Sequence, residues 1–224
     1  MAHIEHLKTL CPLSNRYVVD IGAGDGIFSK QLHAEGAVVT AVEIDAVKVA
    51  RAQSGLPVDV DVILGTAENL PLETDTQDLA CFFFSFHHVP IELQDAAFNE
   101  AHRVLRPTGR LHIVEPFPFG SMFDVVRFVE DETFVRTHSH ELLNRLGEGG
   151  RFGLLSKNDY VLTREYPSFD SFLDKIVRPD PDRQAAFEHV ATEMEEAFDQ
   201  AIDDSDQRRV LHQPCAAYHF AVKP

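Results

Sequence analysis

The sequence predicts an α/β fold, a mostly parallel sheet with helices on both faces. Three observations predict it. Short apolar runs alternate with helical periods from Tyr17 to Pro116, the signature of parallel strands joined by crossover helices. The first run ends in an acid and a glycine-rich turn that opens a helix. A last apolar run near the C-terminus, after a set of helical additions, supplies a final strand antiparallel to its neighbours.

Taken in order, the apolar runs are 17–21, 38–43, 58–64, 79–84 and 110–114, and the helices between them are 26–35, 45–53 and 91–106. The helix 91–106 has Pro90 near its start, Glu92 in its first turn, Arg103 and Arg106 near its end, and Pro107 to stop it. Pro107, Thr108 and Gly109 then predict a type I turn, because threonine disfavours positive φ. After Pro116 the alternation breaks. Residues 117–156 read as an insertion with helical pieces at 121–130 and 133–146, and 160–166 as a strand. Asp180 and Pro181 form an N-cap and first helical position for a long helix. Its apolar stripe is Phe187, Val190, Ala191, Met194, Phe198 and Ile202, and it dissolves into Asp203, Asp204, Ser205 and Asp206. Residues 216–222 are the final strand.

Bulk numbers narrow the function. At 224 residues the chain suits one α/β domain with a substrate-covering segment. Its 20 Lys+Arg against 36 Asp+Glu give a net charge of −16, which repels the phosphate backbone on which nucleic-acid affinity rests. Nucleic acid is therefore not an expected partner. Cys11, Cys81 and Cys215 are too scattered for a disulfide framework or a metal knuckle, which suits a reducing cytoplasm. The start, MAHIEHLKTL, lacks the apolar run of a signal peptide, and no stretch approaches the roughly 20 apolar residues of a membrane span. A cytoplasmic location is the expectation.

The segment VVDIGAGDGIFSKQL, 18–32, carries the chemistry. Its glycines permit close backbone approach to a ligand, and Asp20 can accept hydrogen bonds from that ligand. A glycine turn after a strand also suits a dinucleotide. However, Gly22, Gly24 and Gly26 are spaced G-x-G-x-G, not the G-x-G-x-x-G of the dinucleotide fingerprint. Asp20 would also face a pyrophosphate unfavourably while attracting a cation. Glu43 closes the second run, where an acid can hold two ribose hydroxyls, and Asp45 reads as the N-cap of the next helix.

With AVEID, GTAENLPL (65–72), DLACFFFSFHHVP (78–90) and EAHRVLRPTGRLHIVEP (100–116) following in this order, the chain resembles the class I, Rossmann-like S-adenosylmethionine-dependent methyltransferases. It is similar in particular to the small-molecule group that includes the ubiquinone-biosynthesis enzymes. The resemblance implies a seven-stranded sheet and methyl transfer from S-adenosyl-L-methionine to a small-molecule acceptor, leaving S-adenosyl-L-homocysteine. It implies Gly22, Ala23 and Gly24 against the methionine and ribose parts, Asp20 near the amino group, Glu43 on the ribose hydroxyls and Ile44 against the adenine. Thr66 stands where the family usually has an acid for the adenine amino group, Ala67 contributes a backbone amide, and Ser85 borders the methionine part. It further implies a single domain: 1–116 as cofactor-binding core, 117–156 and 168–213 as a cap forming the acceptor pocket, and 214–224 as the final strand.

His88 and His87 end the fourth strand in this reading, where one imidazole can act as general base or merely shape the pocket. His138, His140 and Glu141 do not share a helical face, so no metal is expected there. Phe117, Phe119, Phe123, Phe128 and Phe134 either line an apolar or aromatic acceptor site or pack the insertion. Two alternatives stay open: a non-catalytic member that binds the cofactor or a partner, and a nicotinamide-dependent oxidoreductase.

Overall fold

The computed structural model describes residues 3–201 and 209–223. The strands are β1 (Tyr17–Ile21), β2 (Val38–Glu43), β3 (Asp61–Leu64), β4 (Gln77–Phe83), β5 (Leu105–Pro116), β6 (Phe152–Tyr166) and β7 (Arg209–Val222). The helices are α1 (His3–Leu10), α2 (Ile27–Ala34), α3 (Ala46–Gly55), α4 (Gln94–Val104), α5 (Ser121–Val126), α6 (Thr133–Leu146), α7 (Phe169–Ile176) and α8 (Pro181–Gln200). The strands form a seven-stranded sheet in the order β3-β2-β1-β4-β5-β7-β6, with the last strand antiparallel. The pairs β1·β2, β2·β3, β1·β4 and β4·β5 are parallel. Strand order reverses between β1 and β4, and in open α/β sheets ligands bind at such a switch point, outside the carboxyl ends of the strands.

The chain divides into two compact units. One comprises Met1–Glu115, His138–Asn158 and Ala216–Pro224. In its core, Ile4 and Leu7 of α1 pack with Val18, Val39 and Leu79 of the sheet and with Phe28 and Leu32 of α2. Each of these strands is buried on both faces, which is why the runs are continuously apolar. The other unit comprises Pro116–Thr137 and Asp159–Cys215, and its core joins Val125 and Val126 of α5, Phe169 and Phe172 of α7, and Met194 and Phe198 of α8.

Several expected boundaries move. The strand expected over 58–64 starts only at Asp61, since Val60 N–H bonds back to Pro57 O at 3.0 Å and leaves Val58 in solvent. The helix expected over 91–106 is a 3-10 turn, Ile91–Leu93, followed by α4, and ends at Val104 because Leu105 pairs with Gln77. Thr108 and Gly109 fall within β5 at an irregularity in its register with β4, and neither takes positive φ. The helix expected over 121–130 ends at Val126, while α6 and the start of α8 fall where the sequence puts them. Asp180 Oδ1 caps α8 by accepting from the Asp182 and Arg183 amides. Ile202 and the run Asp203, Asp204, Ser205, Asp206 lie outside the described residues.

Candidate active site

The glycine turn follows β1 directly. Gly22, Gly24 and Gly26 all have positive φ, a region that L side chains rarely adopt. Gly22 is constrained twice, since a Cβ there would sit 2.6 Å from Ser85 Cβ. At Gly24 a Cβ would meet nothing within 4 Å, so the backbone there faces open space. The Gly22 and Ala23 amides both donate to Val42 O, at 2.8 and 3.1 Å, which ties the turn to β2.

Two buried carboxylates flank the turn. Glu43 at the tip of β2 accepts from Gly24 N at 2.8 Å through Oε2 and from Asp45 N at 3.0 Å through Oε1. Each oxygen keeps a second acceptor position. Asp20 at the tip of β1 is 1% exposed, and its Oδ2 accepts from Ser29 Oγ at 2.6 Å. Its Oδ1 is buried without a hydrogen-bond partner among the described residues. Burial pushes the Asp20 carboxyl up to about 6, the Ser29 hydroxyl draws it down, and the charge of Glu43 adds a smaller upward push.

The remaining sequence-predicted residues fall around the same strand tips. Ile44 is 68% exposed, an apolar side chain left in the open immediately after Glu43. Asp45 is the N-cap of α3, accepting from Val47 N at 2.7 Å and Lys48 N at 3.4 Å. Thr66 and Ala67 are half-buried in a loop after β3. That loop is pinned by two α4 residues, Glu100 and Arg103, which the sequence analysis does not place in the site. Glu100 accepts from Leu70 N at 2.8 Å, and Arg103 donates to Leu70 O at 3.0 Å and Leu72 O at 2.8 Å while pairing with Glu100. The Arg103 guanidinium holds the Glu100 carboxyl below its ordinary range. Ser85 Oγ donates to Ile21 O at 2.6 Å, clamping the end of β4 to the end of β1.

His87 and His88 do not end the fourth strand as expected. β4 stops at Phe83, Phe84 takes φ 53°, and both histidines lie in a 3-10 turn, Phe86–His88. The alternation that would send adjacent strand residues to opposite faces therefore does not apply. His87 is buried and His88 exposed, with ring centroids 4.1 Å apart. Glu115, near the end of β5, reaches under the turn. It accepts from Phe86 N at 3.1 Å and His87 N at 3.2 Å, and its Oε2 lies 2.6 Å from His87 Nδ1. An acid inside the apolar run HIVEP was the available signal for Glu115. His140, on α6, bonds Tyr218 Oη at 2.9 Å.

A family model described as a methyltransferase domain matches residues 19–113. A protein named as an uncharacterized methyltransferase in Mycobacterium tuberculosis is 36% identical over 189 residues, covering 77% of this chain and 76% of the relative. The chain belongs to the class I methyltransferases. A ubiquinone/menaquinone biosynthesis C-methyltransferase of Rubrivivax gelatinosus is 30% identical to this methyltransferase over 109 residues, 49% of the chain and 43% of that protein. The solved structure of a methyltransferase from Bacillus halodurans superposes with a TM-score of 0.66, covering 99% of both chains at 20% identity, a likeness of fold. No helix among the described residues of the methyltransferase is long and apolar enough to cross a membrane.

Proposed function

We propose that this methyltransferase takes its methyl group from S-adenosyl-L-methionine and transfers it, by in-line displacement, to a small-molecule acceptor. The observation that carries the reading is Asp20, a buried carboxylate beside the glycine turn with one oxygen unsatisfied. A buried acceptor without a partner is costly, and an ammonium donor on a ligand would satisfy it. Glu43 has one acceptor position left on each oxygen for a pair of ribose hydroxyls. Gly24 leaves the space that any side chain would fill, and exposed Ile44 offers an apolar face for an adenine ring. The residues present fit the cofactor.

When bound, the cofactor supplies a methyl group already activated on a sulfonium sulfur. The chain's work is then alignment and exclusion of water, which can lower a barrier by roughly 7–11 kcal/mol. Asp20 would fix the amino end, Glu43 the ribose, and Gly22, Ala23 and Ser85 the wall between them. His87 or His88 would take the proton from a hydroxyl or amine acceptor, a contribution of about 10²–10⁴-fold. The net charge of −16 argues against a nucleic-acid acceptor.

The same carboxylate weighs against a nicotinamide cofactor, because Asp20 would face a pyrophosphate. The test is ligand-dependent melting. S-Adenosylhomocysteine at about one hundred times its dissociation constant should add ~2.7 kcal/mol of stability, and NAD none. A shift with NAD alone would overturn the assignment.

A further inference from the structure

We propose that the methyltransferase pairs with a second copy of itself through β6, edge to edge and antiparallel, about a two-fold axis at Asn158. Lys157 of each copy then faces Asp159 of the other. The inference stands apart from the cofactor and the acceptor.

β6 closes the sheet order β3-β2-β1-β4-β5-β7-β6, so no strand among the described residues covers its outer edge. It is also long, 15 residues from Phe152 to Tyr166. An open edge is a row of unpaired amides and carbonyls, and proteins that avoid pairing blunt it with short strands, proline or bulges. β6 is not short, and it contains no proline. Its side chains alternate from 155 to 163. Leu155, Lys157, Asp159, Val161 and Thr163 are exposed, while Ser156, Asn158, Tyr160 and Leu162 between them are half-buried. One face of this edge therefore carries two large apolar side chains into solvent, Leu155 at 56% exposure and Val161 at 48%.

Charge decides the occupant. A lone lysine on an edge keeps other strands away. Here Lys157 is followed two residues later, on the same face, by Asp159. Residues directly opposed in an antiparallel pair share a face, with Cα atoms ~4.5–5.5 Å apart. With Asn158 opposite its own copy, Lys157 meets Asp159 twice and Leu155 meets Val161 twice. Sliding the partner by two residues sets Lys157 against Lys157 or Asp159 against Asp159, and like charges directly opposed are destabilising. Sliding it by one sends the two exposed faces to opposite sides. The segment is thus complementary to itself in one register, and a contact of this isologous kind closes after two copies. Within its own chain Lys157 Nζ donates to Asn144 Oδ1 at 3.2 Å and lies 5.2 Å from the Tyr218 ring centroid. An ammonium has three hydrogens to donate, so the bond to Asn144 leaves it able to reach a partner carboxylate as well.

Sedimentation equilibrium of the full chain at physiological salt tests the pairing. The wild type should be a dimer at micromolar concentrations. Lys157→Asp and Asp159→Lys should each raise the dissociation constant by about tenfold or more, and combining the two substitutions should restore it. Asn158→Cys should give a covalent dimer on oxidation, because the opposed Cα atoms lie within disulfide reach. The parent, with Cys81 and Cys215 buried, is the control for that reaction. A wild type that stays monomeric overturns the proposal. So does a dimer that ignores the single charge reversals, or one that the combined reversal does not restore. Should a charge variant fail to fold, the Asn158→Cys cross-link decides alone, and its absence overturns the proposal.

Discussion

Asp20 shows how a single side chain can work against the fold and for the ligand. Its carboxyl is raised from 3.8 to about 6 in the folded chain, so the folded state binds its proton more tightly than the unfolded state does. The stabilisation from that proton is therefore complete below pH ~4 and lost as pH rises through ~6. At neutral pH the buried charge leaves the protein less stable by on the order of 3 kcal/mol than it would be with the group protonated. Asp20→Asn keeps an acceptor for Ser29 and removes the charge. The variant should be more stable than the parent at pH 7.5 by about 1–3 kcal/mol in urea titrations, and the gap should close at pH 4.5. It should also lose the stabilisation given by S-adenosylhomocysteine. For the parent, affinity for that ligand should fall as pH drops below 6, since only the carboxylate can receive an ammonium. An Asp20→Asn variant that is less stable than the parent at pH 7.5 would show that burial is not what raises the group.

At the scale of elements, the cap of α3 gives a direct measure of local design. Asp45 satisfies two of the amides that a helix start leaves unpaired, so Asp45→Ala should cost about 1 kcal/mol, read as a lower urea midpoint at unchanged slope. No loss would mean that the Asp45 backbone bond to Glu43 holds the corner alone. This cap was legible in the sequence, as were β1, β2, α6 and the start of α8, because each announces itself by local periodicity or a capping residue. What escaped was set by partners far along the chain. β6 begins at Phe152 although 153–159 contains Gly, Ser, Lys, Asn and Asp, because pairing within the sheet, not β propensity, makes it a strand. α7 carries a weak sequence signal because its capping box uses Ser171 where the pattern usually has Glu or Gln. α1, with eight residues, is too short to show a clear period. In the site, Asp20 and Glu43 could be read from the pattern of acids at strand ends, whereas Glu115 acquires its meaning only from a histidine 28 residues away in sequence.

For the whole molecule, the surplus of 16 negative charges acts at a distance on whatever approaches. S-Adenosylmethionine carries a net positive charge from its sulfonium, and S-adenosylhomocysteine, with the same groups otherwise, carries none. The two therefore share every short-range contact with Asp20, Glu43 and the glycine turn, and differ in their response to the field of the protein. Salt separates these contributions, because the screening length falls from about 30 Å at 0.01 M to about 8 Å at 0.15 M ionic strength. Raising ionic strength across that range should weaken binding of the methyl donor more than binding of its product, so that the ratio of the two affinities moves toward the product by a few-fold. Calorimetric titration of both ligands at the two salt concentrations measures it. A dinucleotide, with its anionic pyrophosphate, would respond in the opposite sense and bind better in salt. If the two affinities fall together, the long-range field is not contributing, and discrimination between donor and product must come from contacts at the one group in which they differ, the sulfonium methyl.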